Sequence, residues 1–129
     1  MTLDSSAIVA ILFAEPGYME LVDCILEADV VRIGAPTLVE TSLVVATRRR
    51  SADAPEIEEL MRELGVAVSP FGEAEWLVAR KAFGTYGRGR HKAGLNFGDC
   101  LAYASARASS DSLLFVGKDF TLTDITPAI

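Results

Sequence analysis

Hydrophobic residues along this chain fall into two kinds of run. Short apolar or β-branched stretches occur at Thr2-Leu3, Val30 to Ile33, Val66 to Ser69 and Leu113 to Val116. These predict strands, with Asp124-Ile125 as one further edge strand. Between them lie longer stretches whose apolar positions recur at helical spacing: Ala7 to Ala14, Tyr18 to Ala28, Pro36 to Arg49, Glu56 to Leu64, Gly72 to Tyr86, and a last helix around Asp99. In that last helix Phe97, Cys100, Leu101, Ala104 and Ala108 form one predicted buried stripe, with Asp99 beside it. In the third, Leu38, Val39, Leu43, Val44 and Ala46 are predicted to face inward.

Breaks in the pattern supply the punctuation. Asp4-Ser5-Ser6 is an exit turn and cap, Pro16-Gly17 separates the first two helices, Pro36 suits a helix start, and Ser109-Ser110-Asp111 is a turn. Gly87 to Gly94 is rich in glycine and basic residues and predicts a flexible loop. Short strands alternating with helices imply a parallel sheet covered on both faces: an α/β, three-layer α/β/α sandwich of flavodoxin-like general type. The 129 residues, half of them hydrophobic, suit one domain spanning 1–129 with a core of ordinary size.

In such sheets ligands bind beyond the carboxyl ends of the strands. Asp4 and Asp119 both leave strands on that edge, Asp99 opens a helix that can face it, and Glu40 lies in the early turns of its own helix. Four acids from four segments are thus expected at one place. Two unit charges about 4 Å apart repel by roughly 4 kcal/mol at an effective dielectric near 20, so the set needs protons or cations. An all-oxygen set with no His or Cys points to a hard divalent ion, Mg2+ or Mn2+. Such ions hold a phosphodiester, generate a hydroxide and stabilise the leaving oxygen, which removes the need for a Ser, Cys or His nucleophile. Taken singly, Asp4, Glu40 and Asp99 read equally well as cap or helix residues, and Asp119 and Asp124 as turn residues. Ser6 and Asn96 suit caps or the orientation of neighbouring carboxylates.

Net charge −6 and a pI near 4.7 exclude nucleic-acid binding by bulk electrostatics. The charge is unevenly spread, however, and Arg88, Arg90, His91 and Lys92 make a local basic lip suited to RNA phosphates. Cys24 and Cys100 sit in apolar helical patterns without zinc-ligand spacing. The apolar run from Ala7 is too short to span a bilayer and lacks the basic flank of a leader. A cytoplasmic, reducing setting with no membrane association is the expectation.

The motifs together resemble the PIN-domain ribonucleases of the VapC type, the toxin half of type II toxin–antitoxin pairs. The resemblance rests on Asp4-Ser5-Ser6-Ala7, Glu40 after Pro36, His91 through Cys100 with Tyr103-Ala104, and Gly117-Lys118-Asp119-Phe120 followed by Thr123-Asp124-Ile125. It spans the whole chain, and Asn96-Phe97-Gly98-Asp99-Cys100 is its most specific part. Lys92 stands where many relatives carry proline. The resemblance implies a Mg2+- or Mn2+-dependent endoribonuclease with Asp4, Glu40, Asp99 and Asp119 as its acidic, catalytic and metal-binding site. Asp124 is an alternative fourth acid or a supporting residue. It further implies a homodimer and inhibition by a cognate VapB-type antitoxin. Two rival readings remain, a receiver-like signalling domain and a catalytically inactive PIN-like module that binds RNA or protein. The receiver requires an acid pair after the first strand and an Asp ending the middle one. Asp4 has no acidic neighbour and Val66 to Ser69 ends in none.

Overall fold

The computed structural model describes residues 1–129, and each predicted helix and strand but one is present. In chain order they are β1 (Thr2–Leu3), α1 (Ser5–Leu12), α2 (Tyr18–Leu26), β2 (Arg32–Gly34), α3 (Ala35–Arg49), α4 (Glu56–Glu63), β3 (Ala67–Ser69), α5 (Glu73–Tyr86), α6 (Phe97–Ala108) and β4 (Leu113–Leu114). All strand pairings are parallel, in the order β3-β2-β1-β4. The chain therefore walks outward from β1 to β3 and returns to β4 on the other side of β1. The reversal leaves a crevice at the carboxyl ends of β1 and β4.

Register explains how two-residue strands suffice. Leu3 pairs with Ile33 and Leu114, whereas Thr2 pairs with Arg32 and Leu113. Neighbouring residues on a strand point to opposite faces. Leu3, Ile33 and Leu114 accordingly enter one core with Ile8, Leu21, Ile25, Val45 and Ile57 from the first four helices. Leu113 enters a second core with Ala82, Leu95, Cys100, Ala102, Tyr103 and Phe120. Two cores on a common sheet are the three layers expected from the sequence.

Four details differ from the sequence expectation. Asp124-Ile125 forms no edge strand; the terminal segment meets β4 through a single bridge, Leu113 to Pro127, where Leu113 N–H donates to Thr126 O at 2.9 Å. The stripe on α6 is shifted, since Phe97 is 79% exposed and Ala108 is also outside, while Ala102 through Ala106 are buried. On α3, Val39 and Leu43 face outward at 59% and 65% exposure, and Thr37, Thr41 and Val45 are the buried positions. The basic segment is a hydrogen-bonded turn. Its ends are clipped by Leu95 N–H to Tyr86 O and Arg88 N–H to Leu95 O, and His91 N–H closes back on Gly87 O. No helix is long and apolar enough to cross a membrane.

Candidate active site

Asp4 is the residue at which β1 ends and α1 begins. Its backbone is extended (φ −86°, ψ 159°), and its Oδ2 accepts the Ser6 N–H at 3.0 Å, so the carboxylate caps α1. Ser6 Oγ donates to the same oxygen at 2.5 Å and accepts the Val116 N–H at 3.0 Å. One hydroxyl therefore ties the exit of β4 to the carboxylate at the exit of β1. Asp4 is only 5% exposed. Burial raises its pKa, with a smaller push from the charge of Asp119, against the lowering effect of the Ser6 bonds.

Asp99 sits at the third position of α6 and closes a reciprocal cap. Its N–H donates to Asn96 Oδ1 at 3.0 Å and its Oδ2 accepts the Asn96 N–H at 2.8 Å. The carboxylate is thereby fixed over the amino end of the helix, the end of α6 that lies at the carboxyl edge of the sheet. Burial is the first cause that raises its pKa, and the charges of Asp4 and Asp119 add to it. The Asn96 bond and the guanidinium of Arg88 pull the other way.

Glu40 projects from the second turn of α3. Its carboxylate lies against Gly98 of α6, and its Oε2 is buried with no hydrogen-bond partner. The pKa is raised by burial first and then by Asp4 and Asp99; the nearby Ser5 side chain lowers it but leaves Oε2 unsatisfied. Asp119 lies exposed in the turns after β4, within Coulombic reach of Asp4 and Asp99. These four acids, from four segments, lie within range of one another's charge at the carboxyl edge of the sheet: Glu40 and Asp119 each act on Asp4 or Asp99 or are acted on by them.

Asp124 does not join them. Its Oδ1 accepts the Tyr103 hydroxyl at 2.6 Å and its Oδ2 lies 3.8 Å from Arg107 Nη2. The Tyr103 bond, above all, holds its pKa below the ordinary carboxylate range. Asp124 thus pins the C-terminal loop to α6, and of the two candidates for fourth acid it is Asp119 whose charge acts on Asp4 and Asp99. Of the basic lip, Arg88 is close enough for Asp99 to feel its charge, and Arg90 stacks over Phe83 with its guanidinium carbon 5.2 Å from the ring centroid. His91 is held by an edge contact with Tyr86 and accepts the Ala93 N–H at Nδ1. Lys92 is exposed beside it.

No three Asp, Glu, His or Cys side chains are gathered closely enough to coordinate one ion between them. Asp4 and Asp99 each commit Oδ2 to a helix start, while Oδ1 makes no such bond. The residues nonetheless fit a hard cation. The converging donors are all carboxylate oxygens, and Glu40 Oε2 is a buried acceptor that costs free energy until a proton or a cation reaches it. The Cys100 thiol beside Asp99 is no competitor, since burial pushes its pKa to about 11.

Sequence reasoning missed Gly98 and Ser5, both against Glu40. A glycine in the first turn of an otherwise apolar helix sacrifices helix propensity and was the available sign.

Comparison with known proteins gives a consistent picture. Residues 1–125 match the PIN domain family. The chain is 38% identical over 130 residues to Ribonuclease VapC28 of Mycobacterium tuberculosis, covering 100% of this chain and 98% of that protein. It is 37% identical over 125 residues to Ribonuclease VapC of Mycolicibacterium smegmatis, with 97% of each covered. Among solved structures, a chain of a toxin–antitoxin complex from Klebsiella pneumoniae superposes with a TM-score of 0.68 at 15% identity, covering 95% of this chain and 92% of that one.

Proposed function

This chain belongs to the PIN domain family, in its VapC branch, and on that footing we propose that it is a Mg2+- or Mn2+-dependent endoribonuclease, the toxin of a toxin–antitoxin pair. The observation that carries the reading is the convergence of Asp4, Glu40, Asp99 and Asp119 from separate segments, with Glu40 Oε2 left unpartnered inside it. The relatives named as VapC ribonucleases over nearly their full length support the substrate class. A receiver domain does not fit, because Asp4 stands without an acidic neighbour and β3 ends in Ser69. An inactive binding module has no use for four mutually repelling acids.

Asp4 and Asp99 would hold the ion through the oxygens their caps leave free, together with Glu40 and Asp119. When bound, the cation supplies a water of lowered pKa and neutralises charge on the phosphate. The chain's own residues do the rest. Ser6 holds Asp4, Asn96 holds Asp99, and burial keeps bulk water from screening Asp4. Arg88, whose charge Asp99 feels, would meet a phosphate that the acids alone would repel.

The decisive experiment is incubation of the purified, antitoxin-free protein with structured RNAs in Mg2+, in Mn2+ and in EDTA. Cleavage with either ion and none in EDTA is expected; no cleavage of any RNA, or equal cleavage in EDTA, would end the proposal. Replacing Arg88, Arg90 and Lys92 together by Ala should weaken RNA binding and flatten its salt dependence, by about 2 in the slope of log K on log salt at roughly 0.7 per phosphate contact for single strands. Metal affinity should not fall. An unchanged slope would remove these residues from the RNA surface.

Two partners complete the reading. Phe97, Val39, Leu43 and Phe83 leave an exposed apolar face across α3, α5 and α6, the kind of patch that marks an interaction surface. We assign it to a second copy of the chain, which sedimentation of the purified protein tests by its mass. A VapB-type antitoxin is the inhibitor, acting with the toxin in the cytoplasm; co-purification from the native operon reads it directly.

A further inference from the structure

Gly98 stands immediately before Asp99, in the first turn of α6, and is buried. Its backbone is not in the left-handed region, so conformation does not require glycine there. Space does. A Cβ built on Gly98 would overlap Glu40 Oε1 and stand 2.7 Å from both Cδ and Oε2 of the same carboxylate. Real carbon atoms do not approach so closely, so any side chain at 98 would displace the carboxylate of Glu40.

What would move is the flexible end of one side chain. Gly34 provides the contrast: a Cβ there would overlap Ser105 Oγ and lie 3.0 Å from Ser105 Cβ, in the buried seam between β2 and α6. A methyl at Gly34 strains the core. The three atoms nearest to a methyl at Gly98 all belong to the Glu40 carboxylate, and alanine is the better helix former. The chain gives up that helix stability where the carboxylate of Glu40 lies.

We propose that Gly98 is a positioning residue for the acid site: the absence of its side chain is what lets Glu40 reach across from α3 to the carboxylates of Asp4 and Asp99. This rests on the metal-dependent reading above. Gly98 touches neither ion nor RNA in this scheme and acts only through Glu40.

The test compares the full-length wild type with Gly98→Ala, Glu40→Asp and the double variant. Thermal midpoint in EDTA, Mn2+ affinity by calorimetry and RNA cleavage are measured on each. Gly98→Ala should melt at or above wild type yet bind Mn2+ at least tenfold more weakly and cleave correspondingly less. Glu40→Asp, one methylene shorter, should weaken the wild type but improve Gly98→Ala severalfold, because the shorter acid retreats from the new methyl. Wild-type Mn2+ affinity in Gly98→Ala would overturn the proposal, as would a loss that Glu40→Asp does not relieve or a midpoint that falls well below wild type. A wild type that binds no Mn2+ would instead sink the metal-dependent reading itself, so the two failures are distinct.

Discussion

Asp99→Asn is expected to reduce RNA cleavage on the order of 10³-fold while leaving the fold intact. The magnitude follows from charge: one carboxylate about 4 Å from a unit charge contributes roughly 4 kcal/mol at an effective dielectric near 20, and each 1.36 kcal/mol is a factor of ten in rate. The fold should survive because the asparagine carbonyl still accepts the Asn96 N–H and the Asp99 N–H still donates to Asn96 Oδ1. Stability should move the other way. Burial, and then the charges of Asp4 and Asp119, raise the Asp99 pKa above 3.8 in the folded chain. The folded state therefore binds this proton more tightly than the unfolded one. The resulting stabilisation is complete below the unfolded pKa and is lost as pH rises through the folded value. At pH 7 in EDTA the ionised acid is a burden, and the variant should melt at or above wild type; below about pH 4 the difference should vanish. Added Mn2+ should raise the midpoint of wild type and do much less for the variant. Cleavage within a few-fold of wild type would remove Asp99 from the site, and a large fall in midpoint would show the loss to be one of folding.

Such a variant separates stability from function because the site is built from residues that local structure alone would place. Asp4, Asp99 and Asp119 were legible in the sequence since strand exits and helix starts follow from the spacing of apolar runs, and parallel sheets gather those ends at one edge. Glu40 was legible as an acid in an apolar helix. Asp124 was not separable from Asp119 by sequence, because both occupy turns after β4; only the fold shows that Tyr103 bonds Asp124 while the charge of Asp119 acts on Asp4. The outward turn of Phe97, Val39 and Leu43 was also hidden. Helical periodicity identifies an apolar face but not what covers it. The hydrogen-bonded turn at Arg88 to Gly94 was masked for a related reason: its glycines read as freedom, while the hydrogen bonds that clip its ends come from Tyr86 and Leu95, which the composition of the loop does not contain.

Asp111→Ala should produce a large loss of stability at a site remote from the chemistry. In the sequence Asp111 is a turn residue, and its N–H does close the end of α6 on Ala106 O at 2.9 Å. Its side chain, 13% exposed, reaches the amino edge of the sheet, opposite Asp4: Oδ2 accepts the Thr2 hydroxyl at 2.8 Å and lies 3.1 Å from Arg32 Nε. Thr2 and Arg32 are register partners on β1 and β2, so one carboxylate locks β1 and β2 to the segment that leads into β4. Arg32 Nε is buried and poorly aligned for a true hydrogen bond, so the attraction is mainly that of an ion pair. Removing the acid leaves a half-buried guanidinium without its counter-charge and the fully buried Thr2 hydroxyl without its acceptor. The cost should be about 2–3 kcal/mol, below the figure for a fully enclosed pair because Arg32 retains some solvent. At about 4 °C per kcal/mol for a domain of this size, the midpoint should fall by about 8–12 °C. Asp111→Asn keeps an acceptor for Thr2 and should lose roughly half as much. Below its midpoint each variant should bind Mn2+ and cleave RNA as wild type does, the reverse of the pattern for Asp99→Asn. A midpoint within about 2 °C of wild type would show that water replaces the carboxylate at no cost, and lost cleavage in a folded variant would show that the two edges of the sheet are coupled.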